Sequence, residues 1–348
     1  VDTRVISESR LADLLGGVPL AAAIGATFVL QVGAYQNRGI YDPTWLDQRN
    51  FKDVLDIYPR SDIEATAQRL TATSDQFKED FERNTHGDKR LARYDYNPLV
   101  RTPFVRLDNL SVVAPAPRLI MRSVTPGGLY YPGLAMYGTE FSQDLGYLFE
   151  YYVGRNLRLI DGAEVHPEIA FGPKRDRKSV DWFFVMPGLV VLVECKLKRL
   201  GLPARAGQAP LFEDFANSVQ KAYVQLERTV ECLATGMSEF GHIPTDRPFL
   251  AMIVSAEPMY TASAYLVEHE RAVIRTDEFG NIPVAALCAR DIELLATQGD
   301  DVEGQLLELV RNYQPGTAFS FRSVKLQKGA RNSILENAWN SYPFPLLD

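Results

Sequence analysis

The stretch Ser179–Arg199, SVDWFFVMPGLVVLVECKLKR, has fewer structural options than any other part of this chain. Two runs of aromatic and aliphatic residues flank Pro187-Gly188, a pattern that predicts a pair of buried strands joined by a turn. Yet the segment also carries Asp181, Glu194 and Lys196. With Pro187-Gly188 at the centre of the turn, Met186 faces Leu189, and counting outwards sets Asp181 opposite Glu194. Opposed residues share a face of the sheet, with Cβ atoms about 4.5–5.5 Å apart. Glu194 and Lys196 are two apart on one strand, so they share that face too. Pro-Gly is not the favoured turn for a two-residue hairpin, which leaves a slip of about one or two residues open.

Two carboxylates held this close repel one another unless something neutralises them. Lys196 offsets one charge. A hard divalent cation would offset the rest, and magnesium characteristically takes one or two carboxylates together with phosphate oxygens and water. The alternative is a structural ion cluster, Lys196 bridging Asp181 and Glu194, which is costly in a dry sheet. Cys195 lies between the two charged residues and so points to the opposite face, as a small core residue. A cysteine nucleophile needs a paired base, and no histidine is near it in sequence.

Bulk properties narrow the remaining choices. The chain has 348 residues, a net charge of −7 and a pI of about 5.3, so it is not globally basic, and any polyanion site has to be a local patch. Cys195, Cys232 and Cys288 are dispersed and odd in number, which speaks against a disulfide framework and for a reducing cytoplasm. His86, His166, His242 and His269 show no zinc spacing. The opening VDTRVISESRLADLLGG carries acids and lacks a basic region, unlike a signal peptide. VPLAAAIGATFVLQVGAY is nearly uncharged, but its Ala, Gly and Gln31 fit a buried helix better than a membrane span.

Residues 1–135 are expected to form a mainly helical region, with a β- and turn-rich connector at 86–135. In RSDIEATAQRLTATSDQFKEDFERN, Ser61 or Asp62 is a candidate N-cap, and Ile63, Ala67 and Leu70 share a face. Tyr130 and Tyr131 in the connector are expected to pack at a domain interface, with base stacking the alternative. Residues 136–260 are expected to form the chemical core. TEFSQDLGYLFEYYVGRNLRLI is an amphipathic helix in which Gly146, Glu150 and Gly154 form a small–acid–small stripe. The strands AEVHPEIAF, KSVDWFFVM and LVVLVECKL come next, then a helix from LFEDFANSVQ onwards and the buried strand PFLAMIVSA. Residues 261–348 are expected to be a helical extension.

This arrangement resembles the PD-(D/E)XK nuclease superfamily. Asp181 stands where the family has its first acid, and Glu194-Cys195-Lys196 where it has (D/E)-X-K. Val180 replaces the family's loosely kept proline. Glu150 matches an acid often found on the helix before the sheet. The resemblance covers roughly a third of the chain, and its motif is short. It implies an α/β fold: a restriction endonuclease-like αβββαβ core with a central mixed sheet, flanked by the helical N-terminal region and the helical C-terminal extension. It further implies a nuclease in which Asp181, Glu194 and Glu150 bind Mg²⁺ (or Mn²⁺ as a substitute) and Lys196 positions the attacking water. Some relatives place a Gln, Lys or Tyr of the second helix at the site, for which Gln220, Lys221, Tyr223 and Gln225 are candidates. Glu168 is a further candidate acid.

Around the motif an acidic chain turns basic, with Lys174, Arg175, Arg177, Lys178, Lys198, Arg199 and Arg205 close together. That suits a phosphate backbone, with a solvated loop as the plain alternative. Together these features point to a cytoplasmic, metal-dependent nuclease acting on nucleic acid. DNA is the expected substrate, by family analogy, in defence or repair. A homodimer or partner proteins would be needed to cut both strands. A catalytically inactive nucleic-acid-binding module of the same fold and an RNA-cleaving enzyme are the competing readings.

Overall fold

The structure, a computed structural model, describes residues 2–84, 97–197, 211–258, 262–298, 301–314 and 331–342, with side chains of the Leu211–Ala234 helix described from residue 217. It is a mixed α/β protein whose chain divides into two units between Leu145 and Gly146, with Leu211 and residues 338–342 grouped with the first.

In the first unit the Ala- and Gly-rich segment forms the helix Leu20–Gln36. Its small residues let large rings approach. A Cβ at Gly25 would stand 2.0 Å from the Tyr58 ring, and one at Gly33 2.2 Å from that of Trp45. Ala26, Leu30 and Ala34 pack against Ile63, Ala67, Leu70, Phe104 and Ile120. No helix among the described residues is long and apolar enough to cross a membrane. Strands β1 (Ile40–Tyr41), β2 (Thr71–Thr73), β3 (Phe104–Arg106) and β4 (Val112–Val113) make a small sheet in the order β1-β4-β3-β2.

Two expectations for this unit are corrected. The helix Arg60–Arg69 is preceded by Pro59, which fixes φ for helix entry, and neither Ser61 nor Asp62 is its cap. The connector is also more helical than its Pro and Gly content suggests. Arg118–Arg122 and Pro126–Tyr137 are helices, and the latter contains Tyr130 and Tyr131. Thr125 caps that helix through Gly128 N–H, and Pro126 occupies its first turn, where a missing N–H costs nothing. The two tyrosine rings meet edge to face at 5.1 Å.

The second unit is built on a six-stranded sheet. Its strands are β5 (Glu164–Pro167), β8 (Trp182–Met186), β9 (Leu189–Lys196), β10 (Phe249–Ser255), β11 (Val273–Thr276) and β12 (Gly280–Cys288), in the order β11-β12-β10-β9-β8-β5. A short ribbon of β6 (Ala170–Phe171) and β7 (Arg177–Lys178) stands apart from it. β9, β10 and β12 run parallel, and the remaining pairs are antiparallel. The expectation of a helical C-terminal extension is therefore corrected in part: helices are present there, but β11 and β12 complete the sheet. Their residues Ile282, Val284 and Ile274 bury on one face, while Ala285 and Leu287 bury on the other, which couples them to both cores.

The sheet is apolar on both sides, as a central parallel strand requires. Val219, Ala222, Leu226 and Val230 of the Leu211–Ala234 helix cover the face formed by Phe183, Val185, Val190 and Leu192. Phe149, Val153 and Leu157 of the Thr139–Leu157 helix cover Trp182, Phe184, Val191 and Val193 on the other. Each Val, Leu or Phe among them, fully buried, contributes about 1.5–3 kcal/mol. Polar groups in this sheet stand against that background.

Candidate functional site

The β8–β9 ladder runs from Met186↔Leu189 to Trp182↔Val193, the register obtained with Pro187-Gly188 at the turn. Arg247 Nη1 donates to the carbonyls of Met186 and Pro187 at 3.0 and 2.8 Å, and the Gly188 N–H donates to Glu303. These bonds anchor the turn from outside the hairpin, where its own residue types would not. One step beyond Trp182, Asp181 sits at the mouth of the ladder, where the Cys195 N–H donates to its Oδ2 at 2.6 Å.

Strand alternation places Val190, Leu192, Glu194 and Lys196 on one face. Glu194 is 1% exposed, and one of its oxygens accepts a hydrogen bond from Lys196 Nζ. Its other oxygen, Oε2, is buried and has no hydrogen-bond partner among the described residues. Cys195 points the other way and packs against the opposite core, where burial pushes its thiol up.

Glu150, on the Thr139–Leu157 helix, lies within electrostatic reach of this group. Gly154, one turn on, has no side chain, and the Trp182 indole occupies the space; a Cβ there would lie 2.4 Å from the ring. Trp182 Nε1 donates to the Glu150 carbonyl at 2.9 Å. The tryptophan next to Asp181 thus fixes the height of the helix acid. Gly146, at the other end of the stripe, faces open space.

The charges register the crowding. Desolvation, and after it the neighbouring Asp181, pushes the Glu194 carboxyl up to about 8. The same two causes, with Glu168 added, bring Glu150 to about 7. Desolvation also raises Asp181, although the Cys195 N–H and Lys196 pull it back. Among the described residues Lys196, and toward Glu150 also Lys178, oppose this crowding, yet the Glu194 and Glu150 carboxyls stay raised.

Among the described residues no three His, Cys, Asp or Glu side chains converge into a ready-made cation cage. The donor set still fits a hard cation that takes one or two carboxylates and fills its remaining positions from water and phosphate. The unpartnered Glu194 Oε2 is the orphaned acceptor such an ion would satisfy.

Other candidates are placed differently. Glu168 is engaged by Lys178 Nζ at 2.8 Å. Lys174, Arg175, Arg177 and Lys178 are solvent-exposed on and around the β6–β7 ribbon. Lys198, Arg199 and Arg205 lie outside the described residues. On the Leu211–Ala234 helix, Gln220 and Lys221 are exposed, and Tyr223 donates to the Val273 carbonyl at 3.2 Å. Gln225 Nε2 donates instead to the Ser179 carbonyl at 2.6 Å. Thr229, one turn later, accepts from the Val180 N–H at 3.0 Å. These two residues clamp the backbone that delivers Asp181. Sequence reasoning missed Thr229 and Trp182, since a helix Thr and a strand Trp announce only packing.

No family model matches this chain, and no curated protein does. Among solved structures it is similar to the small subunit of the heterodimeric restriction endonuclease R.BspD6I. The identity is 12%, the match covers 50% of this chain and 83% of that one, and the TM-score is 0.31, a likeness too slight to assign a fold family.

Proposed function

We propose that this protein is a divalent-cation-dependent phosphodiester hydrolase of the PD-(D/E)XK type, acting on DNA. One observation carries the reading: Glu194, 1% exposed in an apolar sheet, keeps one carboxylate oxygen on Lys196 and leaves the other without a hydrogen-bond partner among the described residues, with Asp181 alongside. A purely structural ion cluster would be expected to satisfy both oxygens, because an unsatisfied buried acceptor costs about 1–3 kcal/mol. The element order supports the same reading: the Thr139–Leu157 helix, β5, β8 and β9, the Leu211–Ala234 helix, then β10. So does the exposed basic ribbon beside the site.

Asp181 and Glu194 would hold Mg²⁺ or Mn²⁺, with Glu150 close by. When bound, the cation supplies Lewis acidity toward a phosphate oxygen. The chain's own groups do the rest. Lys196 orients the attacking water and its positive charge stabilises the negative charge gathering on the phosphate. Glu150, which desolvation and the Asp181 charge hold above the ordinary carboxylate range in the cation-free site, is the chain's own group for taking up or giving back a proton. A role in restriction, mobile-element defence or repair, with a second copy or partner proteins for double-strand cutting, belongs to the same proposal. The deciding experiment is cleavage of supercoiled plasmid with Mg²⁺, Mn²⁺ or chelator, wild type against Lys196→Ala. Metal-dependent cutting lost in the variant is expected. Cutting that survives the substitution removes the site from the chemistry.

A further inference from the structure

The Thr139–Leu157 helix has an exposed outer face, with Tyr147, Tyr151 and Arg155, that lies outside both buried clusters. Tyr147 and Tyr151 are 42% and 45% exposed, large aromatic side chains left in solvent on a helix whose inner face is fully packed. Arg155 and Arg158 come after them, also exposed. At about 100° per residue Tyr147, Tyr151 and Arg155 fall within roughly 80° of arc and span about 12 Å along the axis, and Arg158 follows just past the last residue of the helix. Tyr147 lies within electrostatic reach of Lys178, so the row continues into the basic ribbon. At the far end the Arg158 guanidinium lies over the Trp182 ring, 4.7 Å from its centroid. Trp182 is bonded to the Glu150 carbonyl and adjoins Asp181, so the row runs alongside the carboxylates.

We infer that Tyr147, Tyr151, Arg155 and Arg158 form a platform for an unpaired DNA strand, with bases stacking on the tyrosines and the arginines tracking the phosphates. Two exposed rings flanked by cations, Lys178 on one side and Arg155 and Arg158 on the other, suit a single strand, which offers both π-faces and charge. In a duplex the bases are already stacked and would leave the tyrosine faces unused. The choice of DNA rests on the hydrolase reading above; the choice of an unpaired strand rests on the rings. This narrows the substrate to single-stranded regions, flaps or ends.

The test is fluorescence-anisotropy binding in chelator, so that no cleavage intervenes. It uses fluorescein-labelled oligo-dT, a duplex of equal length and oligo-rU. The proteins are wild type, Tyr147→Ala/Tyr151→Ala, Tyr147→Phe/Tyr151→Phe and Arg155→Gln, with thermal melts to show that each folds. The alanine pair is expected to weaken oligo-dT binding by about tenfold or more, and the phenylalanine pair to retain it, because stacking needs the ring and not the hydroxyl. Arg155→Gln is expected to lower the slope of log affinity against log salt by about 0.7. Unchanged oligo-dT affinity in the alanine pair, tighter binding of duplex, or preference for oligo-rU would overturn the inference. The plasmid assay on Lys196→Ala reports separately. Cleavage can stand while this platform fails, and the platform can stand on a chain that does not cut.

Discussion

The Cys195 N–H donates to Asp181 Oδ2 over 2.6 Å, so the carboxylate at the mouth of one strand is held by the backbone between Glu194 and Lys196 on the next. The bond separates structural from chemical contributions. Asp181→Asn keeps an oxygen acceptor for that N–H and should unfold in urea close to wild type, while metal-dependent cleavage falls by on the order of a hundredfold. Asp181→Ala leaves the N–H without a partner and should cost about 1–3 kcal/mol as well. An Asn variant that cuts normally would show that this carboxylate has no chemical part.

Burial of Glu194 predicts an unusual pH dependence of stability without metal. Its folded value of about 8 lies above the ordinary 4.5. Between those values the folded state holds a proton that the unfolded chain has released. The stabilisation is therefore complete below about 4.5 and is lost as pH rises through about 8. Glu150, raised to about 7, acts in the same direction. Melting temperatures in chelator should fall from pH 5 to pH 8 more steeply for wild type than for Glu194→Gln, whose amide never ionises. Mg²⁺ at pH 8 should restore wild type and leave the Gln variant unmoved. Parallel curves for the two proteins would remove the buried charge as their cause.

The hairpin was legible because both of its strands are apolar on both faces, so three charges stood out and the turn fixed their partners. Glu150 was legible from the Gly146–Gly154 stripe, although only Gly154 serves close packing. The strands β11 and β12 were not legible. Val273–Thr276 is four residues long, and Gly280–Cys288 opens with Gly-Asn-Ile-Pro, which reads as a turn; pairing along β10 makes it a strand. The Pro126–Tyr137 helix was hidden for a related reason, since Pro132 and its glycines suggest loop, whereas Gly133 gives room to the Phe141 ring. Anchors such as Arg247 on the turn carbonyls and Thr229 on Val180 act across long sequence separations, and no local pattern announces them.

The two glycines flanking Glu150 should respond oppositely to alanine. Gly154→Ala drives a methyl into the Trp182 ring, 2.4 Å away, and overpacking of this kind costs about 1–3 kcal/mol. Moving the indole also releases the Glu150 carbonyl, so a shifted tryptophan emission and weaker cleavage should accompany the loss. Gly146 faces open space, and Gly146→Ala should stabilise the helix by about 0.5–1 kcal/mol. Equal effects of the two substitutions in denaturant titrations would mean that Trp182 does not set the height of the acid.

Thr229 and Gln225 hold Asp181 only through the backbone of Ser179 and Val180, so their loss should be felt in geometry before fold. Thr229→Val keeps the volume but leaves the Val180 N–H buried without an acceptor, a cost of about 1–3 kcal/mol. Thr229→Ser keeps the hydroxyl and should recover most of it. If the clamp positions Asp181, the Val variant should also need more Mg²⁺ for half-maximal cleavage, because a carboxylate on a loosened bend binds a cation less readily, and Ser should restore that requirement. Gln225→Leu should shift it in the same direction, since it frees the adjoining Ser179 carbonyl. A Val variant that is less stable yet keeps the wild-type metal requirement would reduce the clamp to ordinary packing and leave the Cys195 N–H as the group that sets the carboxylate's place.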